Sequence, residues 1–568
     1  MRLAAHLLTA SALAWGMTAG NAWGAGPLRG NPVDSLPAPP EHDAERPKEP
    51  PLSKAEPADA VRSQLDATIV PRHFSVAGNR VMPLDELRPI LTPLVGRAIT
   101  VRELVQEMDK ITALYRERGY VLSFALLQEQ DFHEGLVVVT VVEGHIASVD
   151  VSGDAPRSVR RRLDALARPL LAEKPLTRAT LERTLNLMRR VPGLRLEPKL
   201  EMPRRADGST ALVLHVSHKR LGVAASVADL GTGYQMLVDM TANSISPLGE
   251  QVKLTAAIPR TGSSVRYVSG SVAVPIGTDG LSAELDGYHY NSHPEDDLLE
   301  AAGWSRRVVN EQLRLSLKYP FVLENQRSLT GGLGVYAGQS IDEYQRDADN
   351  AWLQHRTHVR AARASFSYRE TGQSQSREVS LDVHKGFDAL GAKKSRRSNY
   401  AVFEPPSYDL DFTRYVLGLK QTVKLDSGVG LVLSAIGQYS RNVLPSSEQI
   451  SFGGWRYGLG YPPGELAGDK GYGVSLEVNR RFATGWNRLT TVQPYVVADH
   501  AQAWYNEDGL YDWQRASLAS VAVGIRLSDE RYFVADLNVA RPLRDSPYGA
   551  GRGEVRVNFN FSLAYDAF

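Results

Sequence analysis

The chain has 568 residues, of which 43% are hydrophobic and 23% charged, which excludes both one ordinary domain and a largely disordered polypeptide. Its formal net charge is +1, so no global field attracts nucleic acid or an anionic membrane face. It contains no cysteine, which excludes disulfide frameworks, thiolate metal sites and cysteine nucleophiles.

The N-terminus predicts export from the cytoplasm. Residues 1–24 combine an early Arg2, an apolar stretch and small residues that end at Gly24, the pattern of a cleaved signal peptide. Residues 25–70 follow with many prolines among charged residues, a composition that cannot form a packed core. We therefore expect the mature chain to begin with a semi-extended periplasmic linker.

Residues 71–145 predict a compact β-α-α-β-β unit. Its second helix is the clearest in the chain, because Thr100 and Glu103 form a capping box and apolar residues then keep helical spacing up to Gly119. The remaining elements, a strand, a helix and two late strands, are expected at Phe74–Gly78, Leu84–Leu94, Val121–Leu127 and Leu136–Val142.

The same order of elements returns in residues 146–218. Thr177 stands where Thr100 stands in the first unit, and Gly193 stands where Gly119 does. A spacing of about 75 residues indicates two copies of one module. The elements of the second copy are expected at Ile146–Val151, Ser158–Leu171, Thr177–Arg190, Leu194–Met202 and Ala211–His218.

Motifs of the first copy resemble those of POTRA domains, the periplasmic polypeptide-binding modules of outer-membrane translocases. They are FxVxGN at Phe74–Asn79, YxxxGY at Tyr115–Tyr120, LLQEQDFHEG at Leu126–Gly135 and VVEG at Val141–Gly144. The resemblance implies that an exposed sheet edge adds an extended strand of an unfolded client. The alternative is that the two units are small domains that only pack against each other.

Residues 219–568 lose the helical period and alternate instead between apolar and polar positions. Sixteen segments of about ten residues recur between turns rich in Gly, Pro, Asn and Asp. A soluble β-sandwich also alternates, but an even number of strands behind a signal peptide favours a transmembrane barrel. The predicted fold is an all-β, 16-stranded transmembrane β-barrel preceded by two α+β modules.

The C-terminal segment resembles the aromatic strand by which outer-membrane barrels are recognised for insertion. Phe559 and Phe561 lie on its apolar face, whereas the terminal Phe568 is out of step with that face. The resemblance implies insertion by the barrel-assembly machinery and contact with outer-membrane lipid.

A long segment, residues 443–471, separates the eleventh and twelfth predicted strands and is too rich in glycine and charge for lipid. It is similar to the lumenal loop of two-partner secretion transporters, the TpsB family related to haemolysin and filamentous-haemagglutinin exporters. The residues that carry this resemblance are Phe452, Gly453, Gly454, Arg456, Gly460, Tyr461, Gly464, Glu465, Gly468 and Asp469.

The resemblance implies a gate between this loop and the barrel wall, but one position departs from the family. An arginine at the loop tip normally pairs with a wall carboxylate; here the tip position is Leu459, while the wall residue Asp499 is kept. One hypothesis is that Arg456 replaces the missing cation. The alternatives are that Asp499 is hydrated in a wet lumen, or that the loop is held less firmly.

No motif of catalysis is present, so we expect neither an enzyme, a cofactor nor a metal site. The favoured hypothesis is an outer-membrane translocase that recognises an unfolded adhesin- or haemolysin-like exoprotein through its POTRA-like modules. As the family resemblance implies, export would proceed through the gated barrel without ATP. An outer-membrane insertase of the barrel-assembly type and a passive porin are the alternatives, and nucleic acid is not an expected partner.

Overall fold

The computed structural model describes residues 65–564, with gaps at 129, 131, 133, 204, 206, 230–233, 259–264, 295–296, 401, 403–405, 456, 507–514 and 547–552. The expected signal peptide, most of the expected linker, Arg456 and Phe568 lie outside the described residues. Within that part of the chain, no helix is both long and apolar enough to cross a membrane.

The first module has the predicted order of elements, with two additional short strands. Its elements are β1 (Thr68–Ile69), β2 (His73–Ala77), α1 (Leu84–Leu91), β3 (Ile99–Thr100), α2 (Val101–Glu117), β4 (Phe124–Leu127) and β5 (Leu136–Val142). The predicted capping box is confirmed, because the Thr100 side chain accepts from the Glu103 N–H and the Glu103 carboxylate accepts from the Thr100 N–H. Strand β2 runs parallel to the central β5, so the sheet order β2-β5-β4 leaves β2 and β4 as edges.

The second module repeats this topology. Its elements are β6 (His145–Asp154), α3 (Arg157–Ala172), α4 (Arg178–Arg189), β7 (Leu194–Leu200) and β8 (Ser209–His218). The sheet order is β6-β8-β7, with β6 parallel to β8. Thr177 caps α4 by accepting from the Thr180 N–H, as the match with Thr100 predicts.

The two modules share part of their apolar interior. Val121, Leu122, Phe124 and Val142 of the first module belong to the same buried cluster as α3, α4 and the sheet of the second. Backbone hydrogen bonds also cross the junction, such as Arg178 N–H to Gly119 O at 2.7 Å. The modules therefore pack on each other over a continuous core.

The remainder of the chain forms a closed antiparallel barrel. Its strands are β9 (Leu221–Asp229), β10 (Tyr234–Asn243), β11 (Gln251–Ala257), β12 (Arg266–Ile276), β13 (Leu281–Ser292), β14 (Trp304–Leu323), β15 (Arg327–Arg346), β16 (Ala351–Thr371), β17 (Gln375–Gly386), β18 (Lys393–Ser398), β19 (Thr413–Lys424), β20 (Val429–Ser440), β23 (Lys470–Arg480), β24 (Phe482–Trp486), β25 (Leu489–Trp504), β26 (Arg515–Ser528), β27 (Phe533–Pro542) and β28 (Arg556–Ala564). A short helix, α5 (Asp297–Ala301), precedes β14. Two further strands, β21 (Ile450–Phe452) and β22 (Leu466–Gly468), form a separate hairpin.

These segments make a sixteen-stranded barrel, as predicted, because two of its strands are each interrupted and so appear as two segments. Strands β17 and β18 both pair with β16 along its length, and β23 and β24 both pair with β25. The barrel closes between β28 and β9, which among the described residues are in register from Phe561↔Val227 to Ala564↔Ala224. Next to these pairs, on the N-terminal side of β28, the Tyr234 hydroxyl donates to the Val557 carbonyl at 3.0 Å and accepts from the Phe559 N–H at 3.0 Å.

Helix α4 of the second module is fastened to one end of the barrel. The Arg183 guanidinium donates to the carbonyl oxygen of Asp279 at 3.0 Å, in the turn after β12, and to that of Pro320 at 3.2 Å, near the end of β14. The Glu182 carboxylate accepts from the Asn325 N–H at 2.9 Å. The loop that carries the predicted site enters from the opposite end of the barrel.

Candidate functional site: a loop inside the barrel

The segment between β20 and β23 folds back into the barrel as the β21–β22 hairpin. It spans residues 441–469, since β23 already begins at Lys470, one residue before the predicted end of the loop at Gly471. Phe452 is 1% exposed and packs with Tyr461, Ala501 and Leu518. Because Ala501 and Leu518 belong to wall strands β25 and β26, the hairpin lies against the inner wall.

The tip of the loop depends on glycine at several of the predicted positions. Gly453 and Gly454 adopt φ angles of 112° and 66°, which favour glycine. A side chain at Gly460 would place its Cβ 2.7 Å from the backbone nitrogen of Pro542, on β27. The tip therefore touches the wall through its backbone.

The structure brings Asp499 and the loop tip together through hydrogen bonds. The backbone N–H of Leu459 donates to Asp499 Oδ2 at 3.1 Å, and the Ser520 hydroxyl lies 2.8 and 2.7 Å from the two carboxylate oxygens. Asp499 is 7% exposed, so its carboxylate lies largely against the loop and the wall. The hypothesis on Arg456 stays a prediction, since that residue lies outside the described ones.

The side chain of Leu459 fills an apolar pocket of the wall. It clusters with Tyr495, Val497, Ala522 and Ala540, which come from β25, β26 and β27. Its carbonyl oxygen accepts from Asn558 Nδ2 on β28 at 2.9 Å. Leu459 therefore contacts the wall through a backbone donor, a backbone acceptor and an apolar side chain, at the position where the resemblance implies an arginine.

Tyr461 anchors the loop to the far side of β27. Its hydroxyl lies 2.8 Å from the Arg544 carbonyl, which accepts its proton, and it accepts from the Arg544 N–H at 3.2 Å. Glu465 adds a second contact to the same segment, because its carboxylate accepts from the Ser546 hydroxyl. Both predicted residues therefore contact the chain that follows β27.

Asp469 fixes the end of the loop where it joins the wall. Its carboxylate accepts from the backbone N–H groups of Leu444 and Asn506, each at 2.8 Å. The residue is fully buried, and burial raises the pKa of its carboxyl, while these two N–H donors oppose that change. Asp469 thereby joins the two ends of the loop to the segment after β25.

An ion pair near the start of the loop, between Glu448 and Arg414, was not predicted. Glu448 is 2% exposed, and its carboxylate lies 2.9 Å from Arg414 Nη2 of β19 and accepts from the Tyr336 hydroxyl of β15 at 2.9 Å. The sequence offered no local signal for it, because Arg414 is one of many polar residues that alternate along lumen-facing strands. The loop is therefore held on two sides of the lumen.

The lumen wall away from the loop carries ion pairs between its strands. Most are Arg–carboxylate contacts, at 2.9 Å for Arg314–Asp286, 2.8 Å for Arg306–Asp342, 2.6 Å for Arg363–Asp382 and 2.6 Å for Arg526–Glu477. Alternate residues on the same strands point outward and are apolar, such as Leu313 and Leu333 at 57% and 68% exposure. One face of the wall thus suits lipid and the other suits a polar passage.

The predicted insertion strand has its aromatic residues on the outer side. Phe559 and Phe561 stack with ring centroids 6.4 Å apart. The alternate residues of the strand, Asn558 and Asn560, are buried toward the lumen. Phe568 lies outside the described residues, so its contribution stays a prediction.

Comparison with known proteins decides the family of this chain. The model of the haemolysin secretion/activation protein ShlB/FhaC/HecB family matches residues 233–527, and that of the ShlB-type POTRA domain matches residues 69–144. The chain belongs to the ShlB/FhaC/HecB family. Its members are the two-partner secretion transporters that the loop resembles, so the predicted family is confirmed.

Relatives of this ShlB/FhaC/HecB transporter match most of its length. The hemolysin transporter protein ShlB of Serratia marcescens is 25% identical, over 84% of this chain and 82% of its own. The heme/hemopexin transporter protein HuxB of Haemophilus influenzae is 20% identical over 82% of each chain. The structure of CdiB from Escherichia coli has the same fold, with a TM-score of 0.68, 17% identity and coverage of 89% and 95%.

Membership of this family gives the cellular location of the chain. The chain is an outer-membrane secretion transporter whose POTRA modules lie in the periplasm. The turns that hold α4 therefore face the periplasm, and the loop of residues 441–469 enters the barrel from the outer surface.

Proposed function

We propose that this transporter exports one partner exoprotein, an adhesin- or haemolysin-like polypeptide, through its own barrel when the 441–469 loop leaves the lumen. The observation that supports this proposal is the loop itself, which lies against the inner wall through a small set of contacts at Asp499, Tyr461 and Arg414. Contacts of this kind are separately weak enough to be exchanged for contacts with a passing chain.

The periplasmic modules supply the recognition step of the proposal. Strands β2 and β4 of the first module, and β6 and β7 of the second, are sheet edges. An edge strand presents unpaired backbone groups that an extended client can pair with, so the client must be unfolded when it binds. Export without ATP follows if folding of the client outside the cell prevents its return.

A reversible lock on the loop tests the proposal directly. The chain has no cysteine, and a Cβ built at Gly473 on β23 would lie 2.8 Å from Cβ of Tyr457 in the loop. A disulfide needs about 3.5–4.5 Å between the two Cβ atoms, so a Tyr457→Cys/Gly473→Cys variant can form one between loop and wall after the two segments separate by about 1 Å. We expect secretion of the partner exoprotein to stop in the oxidised variant and to return after reduction.

The single-cysteine variants are the matched controls and should secrete under both conditions. Secretion that continues with the disulfide closed would contradict passage through the lumen. A second variant that lacks residues 74–218 should insert as a barrel but fail to secrete. If this deletion instead leaves secretion intact while other outer-membrane barrels fail to assemble, the chain is an insertase. A large conductance that is the same with the disulfide closed and open would indicate a porin.

A further inference from the structure

The outer face of the barrel carries a group of basic side chains near the external end of β16. Arg356, His358 and Arg360 occupy alternate positions of this strand and therefore share one face. On the adjacent β18, Lys393 lies directly opposite His358, and Arg397 lies further along the same face. Directly opposed residues of neighbouring strands lie about 5 Å apart, so these five residues form one group. We call it the outer basic patch.

This face points away from the lumen. Phe366 occupies the same face of β16 and is 47% exposed, and the residues beside it on β15, Leu333 and Val335, are 68% and 57% exposed. The residues between them point inward, as Arg363 does in its ion pair with Asp382. The outer basic patch thus continues a row of lipid-facing side chains.

The patch lies at the height where the lipid headgroups begin. From Tyr368, at the periplasmic end of the row, to Arg360 the strand rises about 26 Å, or about 20 Å along the membrane normal at a tilt of about 40°. The apolar band of such barrels is about 25 Å tall. Ala364 and Ala362 therefore face hydrocarbon, and Arg360 and His358 lie at its outer boundary.

The cations of the patch lack acidic partners within the described residues. No carboxylate there forms an ion pair with Arg356, Arg360, Lys393 or Arg397, whereas Arg307 beyond β15 pairs with Glu343 at 3.7 Å. Like charges placed opposite each other in a sheet are destabilising. An anion supplied from outside the chain would offset this repulsion.

An exposed apolar side chain lies beside these charges. Leu390, in the segment between β17 and β18, is 82% exposed and adopts a φ of 55°, which a leucine rarely does. The same segment is fixed to the patch, because the Phe387 N–H donates to the Arg360 carbonyl at 2.8 Å. Cations next to an exposed leucine suit an amphiphile that has acyl chains and an anionic head, and do not suit a soluble polyanion.

We propose that the outer basic patch binds the phosphate groups of a phosphorylated glycolipid of the outer leaflet, as lipopolysaccharide is. Arg356 and Arg360 present planar guanidinium forks that match phosphate oxygens, and Lys393 adds a point charge between them. Leu390 contacts the adjoining acyl chains. The lipid holds the long outer ends of β15 and β16 at a fixed height in the membrane.

The test compares two double variants of the full-length transporter that remove equal charge. Arg360→Gln/Lys393→Gln disrupts the patch, and Arg307→Gln/Arg346→Gln removes two arginines that pair with Glu343 and Asp349 at the same end of the barrel. Binding of bisphosphorylated lipid A in detergent is measured by native mass spectrometry. We expect about 30-fold weaker binding for the first variant and wild-type binding for the second.

Three outcomes would overturn the proposal. They are equal binding by both double variants, equal binding of lipid A and its dephosphorylated form, and displacement of lipid A by millimolar inorganic phosphate or by a soluble acidic peptide. The heat-dependent shift in gel mobility of each variant reports whether its barrel is folded, so that loss of lipid is not confused with loss of structure.

Discussion

The backbone N–H of Leu459 at the loop tip donates to the carboxylate of Asp499 on the barrel wall over 3.1 Å. The resemblance to the family implies an arginine partner for this wall carboxylate, whereas its donors among the described residues are neutral: the backbone of the loop tip and Ser520. The described contacts between Asp499 and the loop therefore depend on hydrogen-bond geometry.

This arrangement predicts different effects for two substitutions of Asp499. Asp499→Ala leaves the buried Leu459 N–H and Ser520 hydroxyl without their acceptor, which costs about 1–3 kcal/mol of loop binding. Asp499→Asn keeps an oxygen at the same place and should cost less than half of that. The open fraction of single channels in a planar bilayer measures both; equal opening by the two variants would show that the charge itself holds the loop.

The ion pair of Glu448 and Arg414 predicts a larger effect at the loop root. Glu448→Gln leaves the Arg414 guanidinium buried without its counter-charge, and breaking such a pair costs about 3–5 kcal/mol. The double variant Glu448→Gln/Arg414→Met should recover part of this loss, because no uncompensated charge remains. Channel opening and the temperature of barrel unfolding are measured for the wild type, the two single variants and the double variant. Additive effects of the two changes would contradict a direct interaction.

The hydroxyl of Tyr461 predicts a modest loosening of the tip. Tyr461→Phe keeps the ring in its pocket but leaves the Arg544 N–H and carbonyl without this partner, at a cost of about 1–2 kcal/mol. Channels of this variant should open more often than those of the wild type. Tyr472→Phe, on the outer face of β23 and 40% exposed, is the matched control and should leave opening unchanged.

The contacts of Arg183 predict that the second module is held at a fixed angle to the barrel. Arg183→Ala removes hydrogen bonds to the Asp279 and Pro320 carbonyls and should broaden the distance distribution between spin labels on α4 and on the turn after β12. Secretion should fall because recognition and passage are no longer aligned. Arg178→Ala, at the exposed start of the same helix, should change neither; a narrow distribution in Arg183→Ala would contradict the prediction.

Much of the fold follows from local patterns of the sequence. The capping box at Thr100 and the regular alternation along β14 are set by neighbouring residues, so their positions were predicted within a few residues. The interruptions between β17 and β18 and between β23 and β24 were not predicted, because they are defined by pairing with β16 and β25, which are distant contacts and not a local pattern.

The candidate site was predictable only in part. Asp499 and Tyr461 were identified from the resemblance of the loop to a family. The partner of Asp499 was missed because a backbone N–H is present at every residue except proline and leaves no mark in a sequence. Glu448 and Arg414 are 34 residues apart and meet only after the loop has folded into the barrel, so no spacing rule connects them.

The first and last strands of the barrel meet at a contact that a side chain completes. Among the described residues, β28 and β9 are in register from Phe561↔Val227 to Ala564↔Ala224, and beside these pairs the phenol of Tyr234 accepts from the Phe559 N–H and donates to the Val557 carbonyl. The Phe559 amide is thus protected by a side chain and not by a neighbouring strand. We expect this amide to exchange with deuterium before those of the long β14–β15 pairing, and faster still when Tyr234 is replaced by phenylalanine.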